Sequence, residues 1–297
     1  MSGKRTAFII IFTIFCLPLL FYARCISQRP PRTNLQQQLF PGISYTRKVY
    51  SEPRPYIAHI AAIDLDNSKA KPFVTPTNPK SVQQENSAMT TSDFVEQSGV
   101  QLAVNGSFFY PFEENTPWDY YPHTNDPAIA LGESITDGDR YGKIEPQWNV
   151  LCFDRANRVE IALQQQCPNT AINGVAGRRL VVKDGRSAID YETKAYARTV
   201  VAVNRQKNKL WLIVVDGKQP FYSEGATLQE VAQLAISLGG DMPNSITSLR
   251  ALNLDGGGSS TLAIEQNDSV RVLNAPIHTK IPMRERPVAN HLGFSLP

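Results

Sequence analysis

The sequence has 297 residues, of which 42% are hydrophobic, so it can bury a substantial core in one large domain or two modest ones. Its formal charge is +3, but five of its 30 basic residues lie in the first 35 positions, which contain no acidic residue. The remaining 25 basic and 27 acidic residues make the body slightly acidic, which excludes the basic surface that nucleic-acid binding requires.

The amino terminus has the pattern of an export signal. Lys4 and Arg5 precede the uncharged run Ala7–Ala23. A basic head before such a run predicts a signal peptide or a signal anchor over residues 1–25, and both alternatives stay open because no clear small-residue cleavage site follows. We therefore expect a periplasmic or extracellular protein, which contacts the membrane if the segment is retained.

Residues 26–44, rich in Gln, Pro and Arg, predict a flexible tether, and residues 45–297 predict one folded domain without internal repeats. Segments of β-branched and aromatic residues that end in Gly, Asn or Asp predict strands in this domain. They are 57–65, 101–106, 148–154, 158–163, 179–185, 198–204, 209–217, 251–256 and 261–266.

Two segments predict helices. Thr227 and Glu230 form a capping box, apolar residues follow at positions 231, 234, 235 and 238, and Gly239–Gly240 predicts the end of this helix. A shorter helix is predicted over Ser92–Ser98. Many strands with few, separated helices predict an α+β domain with mixed sheets.

Cys152 and Cys167 bracket the predicted hairpin 153–163. In an oxidising compartment they can form a disulfide, and two free buried thiols are the alternative. The four histidines show no metal-ligand spacing, so we predict neither a metal site nor a cofactor, and a bound divalent cation stays open as the alternative.

The most unusual stretch is DGGGSST, in which Asp255 lies at the end of a predicted strand. Three glycines and two serines follow it: Gly256, Gly257, Gly258, Ser259 and Ser260. Successive glycines can expose N–H groups to an anion, and serines add hydroxyl donors. The stretch lacks the lysine of a P-loop and the spacing of a nucleophile elbow. It predicts a phosphate or oxyanion site, with a glycine-rich hairpin turn as the alternative.

Several stretches together resemble the phosphodiester glycosidase family. They are AVNGSFF (103–109), NGVAGRRLVVKDGR (173–186), ARTVVAVN (197–204), LIVVDGKQP (212–220), GATLQEVAQLAISLGG (225–240), ALNLDGGGSSTL (251–262) and ERPVANHLGF (285–294). The family pattern has glycine in place of Ser107 and alanine in place of Val200. The resemblance covers most of residues 100–297.

This resemblance implies hydrolysis of the glycosidic bond of sugar-1-phosphodiesters, which releases the sugar and leaves a phosphomonoester. The reaction needs cations and N–H groups around the phosphate, and a carboxylate that acts on the anomeric carbon or activates water. The candidate carboxylates are Asp255, Asp216 and Glu285. The candidate phosphate and substrate ligands are Asn105, Gly106, Arg198, Thr199, Arg286 and the glycines and serines of DGGGSST.

Structural alternatives stay open for three of these candidates. Asp216 can belong to an ordinary Asp-Gly turn, Arg198 to a surface salt bridge, and Glu285 to an internal ion pair with Arg286. The stretch 107–123, with seven aromatic residues, predicts a loop that either stacks on sugar faces or forms a small core.

Two other functions stay open as well. The protein can bind anionic polysaccharide during export or assembly without cleaving it, or it can be a serine hydrolase that uses Ser259 or Ser260. In the glycosidase and polysaccharide-binding interpretations, the partner is a phosphorylated glycan of the cell envelope or of the extracellular space.

Overall fold

The computed structural model describes residues 16–78, 86–191, 193–239 and 248–297. The first 15 residues of the predicted export signal and the predicted helix stop at Gly240 lie outside these ranges. Residues 16–27 are helical. In the described ranges, no helix combines the length and apolar character needed to cross a bilayer.

The largest sheet, here called the main sheet, has eight antiparallel strands. Their spatial order is Leu35–Phe40, Ile43–Tyr50, Tyr56–Asp64, Lys209–Val215, Arg198–Asn204, Leu249–Asn253, Arg179–Lys183 and Arg186–Ser187. The central strands are buried on both faces, which explains why they read as continuous apolar runs rather than as alternating ones.

Two five-stranded antiparallel sheets and smaller pieces complete the β-structure. The second sheet has the order Val270–Val272, Leu262–Glu265, Leu102–Asn105, His291–Ser295 and Lys71–Val74. The third sheet has the order Asp139–Tyr141, Ser134–Thr136, Ala171–Gly177, Asn149–Asp154 and Val159–Ala162. The smaller pieces are Asn86–Ser87, Pro127–Ala130 and Phe109–Tyr110 in one sheet, the hairpin Glu113–Glu114 with Tyr120–Tyr121, and the hairpin Ile277–His278 with Ile281–Pro282.

The two faces of the main sheet have different partners. Val201 and Val203 join the larger core, which the main sheet shares with the second and third sheets. Val200 and Ala202, which alternate with them, pack under the helix Leu228–Gly239. Antiparallel sheets on one face and a helix on the other confirm the predicted α+β class, although the described strands of these sheets pair antiparallel and do not form the predicted mixed sheets.

Both predicted helices form. The helix Leu228–Gly239 buries its apolar stripe, and the side chains of Thr227 and Glu230 exchange the predicted capping hydrogen bonds with backbone N–H groups. Thr91–Ser98 begins at a capping box and ends at Gly99, whose positive φ of 65° suits glycine. The four-residue helix Leu65–Ser68 was not predicted.

The predicted tether is wrong for most of its length. Leu35–Phe40 and Ile43–Tyr50 pair as the edge of the main sheet, so the folded unit begins well before residue 45. Polar side chains in Leu35–Phe40 face solvent because this strand lies at the edge, and an exposed edge strand gives little apolar signal.

The predicted disulfide is present between Cys152 and Cys167, across the hairpin formed by Asn149–Asp154 and Val159–Ala162. Its sulfurs lie in the small core of the third sheet. The alternative of two free thiols is therefore not adopted.

Candidate active site

The DGGGSST segment crosses from one sheet to another. The chain leaves the main sheet after Asn253 and enters the second sheet at Leu262. At the crossing, the Asp255 N–H donates to the Gly106 carbonyl at 3.1 Å. The segment is thus a bridge between two sheets, and the predicted alternative of a simple hairpin turn is wrong.

Asn105 and Thr199 hold this bridge in place. The Asn105 amide nitrogen donates to the Asp255 carbonyl at 2.8 Å, and its oxygen accepts hydrogen bonds from the Thr199 hydroxyl and the Thr261 N–H. Both side chains are completely buried. They were predicted as substrate ligands, but the structure uses them to position Asp255.

Gly106 is also structural. A Cβ atom at this position would lie 2.4 Å from the Asn290 side-chain oxygen, so the second sheet tolerates no side chain here. Its carbonyl receives the Asp255 N–H, as described above. The structure therefore places Gly106, a predicted substrate ligand, where the backbone packs closely, and not in the cavity lining.

The three glycines do not form the open cradle of N–H groups that the sequence suggests. Gly257–Ser259 is one turn of 3₁₀-helix, and only Gly257 has a positive φ, of 68°. The Gly256 N–H donates to the Asp255 carboxylate at 2.8 Å, and the Gly257 N–H donates to the Ala197 carbonyl at 2.9 Å. These two groups are therefore already committed within the protein.

The glycines instead provide space at a cavity wall. A Cβ on Gly257 would lie 2.8 Å from the Tyr196 ring, and a Cβ on Gly258 would lie 2.5 Å from the Arg286 guanidinium. An aromatic ring and a cation can approach the main chain only because side chains are absent.

The cavity beside this turn has a volume of about 320 Å³. It is lined by Phe108, Phe109, Phe112, Glu114, Tyr196, Arg198, Lys218, Asn253, Asp255, Gly256, Gly257, Gly258 and Arg286. The structure therefore brings together six predicted site residues: Asp255, the three glycines, Arg198 and Arg286.

Asp255 is 9% exposed, and its carboxylate is held on both oxygens. The Ser259 hydroxyl donates to one oxygen at 2.6 Å, and the Gly256 N–H donates to the other. Burial raises the pKa of Asp255 to about 6, although the Ser259 hydrogen bond and the nearby Arg286 charge oppose this rise. Near neutral pH, Asp255 is thus an ionised carboxylate that is more basic than usual.

Arg286 connects the carboxylate to the opposite wall. Its guanidinium donates to the Ser259 hydroxyl at 3.3 Å, to Glu114 at 2.5 Å and to His278 Nδ1 at 3.3 Å. It also lies 4.3 Å from the centre of the Phe112 ring. Burial and the adjacent cation lower the pKa of His278 to about 3, so this histidine accepts the hydrogen bond as a neutral ring. Arg286 is consequently fixed in one orientation.

Two more cations line the cavity. Arg198 is half-buried and donates to the carbonyls of Ala226 and Lys194, and burial lowers its pKa. The Lys218 ammonium lies 4.9 Å from the centre of the Tyr196 ring, and the Arg198 guanidinium lies 5.8 Å from the same centre. With Arg286, three cations surround a cavity that also contains Asp255.

Asp216 does not belong to this site. Its carboxylate is completely buried, 2.9 Å from His59 Nε2, and it accepts hydrogen bonds from the Asn274 amide and the Ala275 N–H. It is not among the described residues that line the cavity. The Asn274 amide also donates to the Ser260 carbonyl, so Asp216 supports the site segment from behind. The structure therefore places Asp216 outside the cavity that Asp255 lines.

Glu285 also differs from its prediction. Its carboxylate accepts hydrogen bonds from the N–H and hydroxyl of Ser92, in the first turn of the helix Thr91–Ser98. An anion there satisfies free N–H groups and complements the helix dipole. Arg286 is bonded to Glu114 instead of Glu285. Glu285 is a helix cap, outside the lining that the described residues form.

The serines flank the carboxylate without lining the cavity. Ser259 and Ser260 are each about 1% exposed. Ser259 donates its proton to Asp255 and accepts from Arg286, so both partners hold its oxygen in place. Nothing in this arrangement resembles a serine that is presented to substrate by a histidine base.

The sequence analysis missed Glu114 and Lys218. Glu114 lies in the stretch 107–123, which was interpreted only through its aromatic residues. Lys218 directly follows Asp216 and Gly217, of which only Asp216 was considered as a site residue. A charged residue inside an aromatic loop, and a lysine directly after a strand-ending Asp-Gly, are the signals that could have identified them.

The aromatic stretch fits both of its interpretations. Phe109 packs into a small core and also lines the cavity, together with Phe108 and Phe112. Trp118 is 85% exposed at the tip of the hairpin that carries Glu114. Within the described part of the chain, no group of three His, Cys, Asp or Glu side chains is arranged to hold a metal ion.

Comparisons with known proteins agree with this architecture. The family model of phosphodiester glycosidase matches residues 98–295. No curated protein sequence matches significantly. The catalytic domain of zebrafish N-acetylglucosamine-1-phosphodiester alpha-N-acetylglucosaminidase, auto-inhibited by its pro-peptide, is similar with a TM-score of 0.63 and 18% identity, over 92% of this chain and 93% of that one.

Two bacterial structures are similar as well. A hypothetical protein from Synechocystis has a TM-score of 0.55 and 14% identity, over 91% of this chain and 65% of that chain. A Burkholderia pseudomallei protein described as exported has a TM-score of 0.57 and 14% identity, over 82% and 74%. At these identities the structures share the fold.

Proposed function

The chain belongs to the phosphodiester glycosidase family, and on that premise we propose that it hydrolyses the glycosidic bond of sugar-1-phosphodiesters. The bond between C1 of the sugar and the bridging oxygen breaks. The hydroxyl of water goes to C1 and its proton goes to the phosphate, so a free sugar and a phosphomonoester result. The observation that carries this proposal is the buried carboxylate of Asp255 in a cavity lined by Arg198, Lys218 and Arg286.

The chemistry divides naturally between these groups. A phosphate ester is a good leaving group, so the reaction depends less on a general acid than on cations that neutralise the departing charge. Arg198, Lys218 and Arg286 supply those cations. Asp255 acts on the anomeric carbon as a nucleophile or activates water as a base, and Glu114 orients Arg286.

We propose that the substrate is a phosphorylated glycan of the cell envelope or of the extracellular space. The first 25 residues, in which two basic residues precede a long uncharged run, support export. The disulfide between Cys152 and Cys167 supports an oxidising compartment, where such bonds persist.

A product assay tests the proposed reaction. The full chain is incubated with sugar-1-phosphodiesters that differ only in the sugar, and we expect reducing sugar and phosphomonoester to appear in equal amounts for at least one of them. Tight binding without turnover, at every pH where the protein stays folded, would instead support the polysaccharide-binding alternative. Release of a sugar 1-phosphate would show that the phosphorus–oxygen bond is cleaved, which contradicts the proposal.

The pH dependence of kcat/KM follows from the raised pKa of Asp255. Because the ionised form is the base or nucleophile, we expect kcat/KM to rise about tenfold per pH unit below about pH 6 and to level off above it. In Ser259→Ala, loss of the hydrogen bond that favours the charged form should move the inflection to higher pH.

The same variant also distinguishes the serine hydrolase alternative from the proposed role of Asp255. Ser259→Ala should keep activity above its shifted inflection, because the serine only supports Asp255 in our proposal. Complete loss of activity at every pH, or a profile that falls through pH 6, would contradict the assigned role of the carboxylate.

A further inference from the structure

The helical residues 16–27 carry unusually many exposed apolar side chains. Leu17, Leu19, Leu20 and Phe21 are each more than half exposed. Adjacent apolar side chains of this size are unfavourable in water and mark a surface that another apolar phase covers. They continue the uncharged run of the sequence.

The residues that follow the apolar side chains suit a membrane–water interface. Tyr22, which is exposed, and Arg24 lie in the second half of the helix, and Arg29 and Arg32 come after the helix. Aromatic rings settle at the interface of a bilayer, and cations are attracted to anionic lipid headgroups. This order of apolar, aromatic and basic residues identifies a lipid bilayer as the occupant that fits the exposed side chains.

The segment after the helix is docked on one turn of the domain, residues 219–223. The Tyr222 hydroxyl donates to the Pro30 carbonyl at 2.8 Å, and the Arg29 guanidinium lies 4.9 Å from the centre of the Tyr222 ring. Arg32 donates to the Phe221 carbonyl at 3.3 Å. The helix is therefore attached to the domain at a defined place.

That place is beside the cavity. Lys218, which lines the cavity, precedes Phe221 by three residues, a separation that spans at most roughly 11 Å of chain. The Phe221 ring is 91% exposed. The helix thus leads into the docked residues 29–32, which contact Phe221 and Tyr222. These two residues lie close in the chain to Lys218 in the cavity lining.

We propose that residues 16–27 enter a bilayer and hold the cavity mouth at its surface, and that the substrate is a sugar-1-phosphodiester whose second ester is to a membrane lipid alcohol. This inference rests on the proposed function. Water would add across the bond between C1 and oxygen, which leaves free sugar in solution and a lipid monophosphate in the bilayer.

The size of the cavity supports a lipid ester. At about 320 Å³ it lies at the small end of ligand pockets, sufficient for a sugar and its phosphate. The alcohol part must then extend out of the cavity, and we place it along Phe221 and the exposed apolar side chains of residues 17–21. These apolar side chains would favour a lipid chain, whereas a polar glycan would gain little from them.

The first experiment measures position without requiring catalysis. The full-length Phe221→Trp protein is reconstituted into vesicles of phosphatidylethanolamine and phosphatidylglycerol, with and without brominated acyl chains. We expect the fluorescence that the new tryptophan adds over wild type to be quenched by the brominated lipid. Leu163→Trp, at an exposed apolar position beyond the strand Val159–Ala162, is the control and should not add quenched fluorescence. Absence of quenching at position 221 overturns the inference.

The second experiment measures substrate class in the same vesicles. Two substrates carry the same sugar 1-phosphate, one esterified to a short soluble alcohol and one to a lipid alcohol. We expect the lipid substrate to be preferred, and Phe221→Ser to lower its turnover about tenfold while turnover of the soluble substrate is unchanged. Leu163→Ser should change neither rate.

The outcomes separate the two proposals. Equal use of both substrates, or an equal effect of Phe221→Ser on both, overturns the lipid assignment while the hydrolase assignment survives. Turnover of neither substrate, with the expected quenching, refutes the hydrolase assignment and the substrate class that depends on it, and leaves the membrane position supported.

Discussion

Replacing Asp255 by asparagine is expected to lower kcat by about three orders of magnitude, because a neutral amide can neither attack the anomeric carbon nor accept a proton from water. The assay is release of reducing sugar from the substrate identified in the screen. Asparagine has nearly the same volume as aspartate, so the packing around the bridge between the two sheets should persist.

The same change should not destabilise the protein. The folded pKa of about 6 is above the ordinary value, so ionisation of Asp255 favours unfolding, and stability falls as the pH rises from about 4 through about 6. Above pH 6 the Asn variant should therefore be as stable as wild type, or more stable by up to roughly 3 kcal/mol, whereas below pH 4 this difference should vanish.

Asp216→Asn is the matched control, since both aspartates follow a buried strand and precede glycine. It weakens the buried contact with His59 and should lower the unfolding midpoint markedly. A loss of sugar release by Asp216→Asn without a loss of stability, together with an active Asp255→Asn protein, would reverse our assignment of the two residues.

Replacing Arg286 by methionine is expected to lower kcat/KM by about two orders of magnitude, the usual effect of removing one donor that stabilises developing charge. It should also cost roughly 2 kcal/mol of stability, because Glu114 loses its charged partner. Steady-state kinetics and urea unfolding measure the two effects separately.

A second substitution distinguishes the chemical role of Arg286 from its structural role. In the double variant Arg286→Met/Glu114→Gln, the unpaired carboxylate is gone, so stability should recover while activity stays low. Recovery of activity together with stability would mean that Arg286 serves only to hold the cavity wall. Arg286→Lys keeps the positive charge, but an ammonium group cannot bond to Ser259, Glu114 and His278 together as the planar guanidinium does. Its activity should therefore lie between that of Arg286→Met and that of wild type.

The sequence predicts the core elements of the fold well. All nine predicted strands and both predicted helices are present, because long apolar runs and capping residues are local signals. The strand Leu35–Phe40 was missed because its glutamines are exposed at a sheet edge. Short pairings such as Glu113–Glu114 depend on distant contacts and leave no periodic pattern.

The site is predictable only in part, for a specific reason. Asp216 follows the strand Lys209–Val215, and Asp255 follows the strand Leu249–Asn253. These two strands lie on either side of Arg198–Asn204 and run in the same direction, so both aspartates lie at the same end of the main sheet. Their local sequences are alike, and what separates them is coverage: Asn274 and Ala275 close over Asp216, whereas glycines leave Asp255 open to the cavity. The residues that cover Asp216 lie 58 and 59 positions away in the chain, so no local pattern shows them.

The strand His291–Ser295 lies inside the second sheet, between Leu102–Asn105 and Lys71–Val74, and Arg286 just before it reaches back to Glu114. Without residues 286–295, the second sheet would lose an interior strand, and Glu114 would lose its charged partner. Removal of these residues should therefore disrupt both the second sheet and the wall of the cavity that Glu114 and Arg286 form.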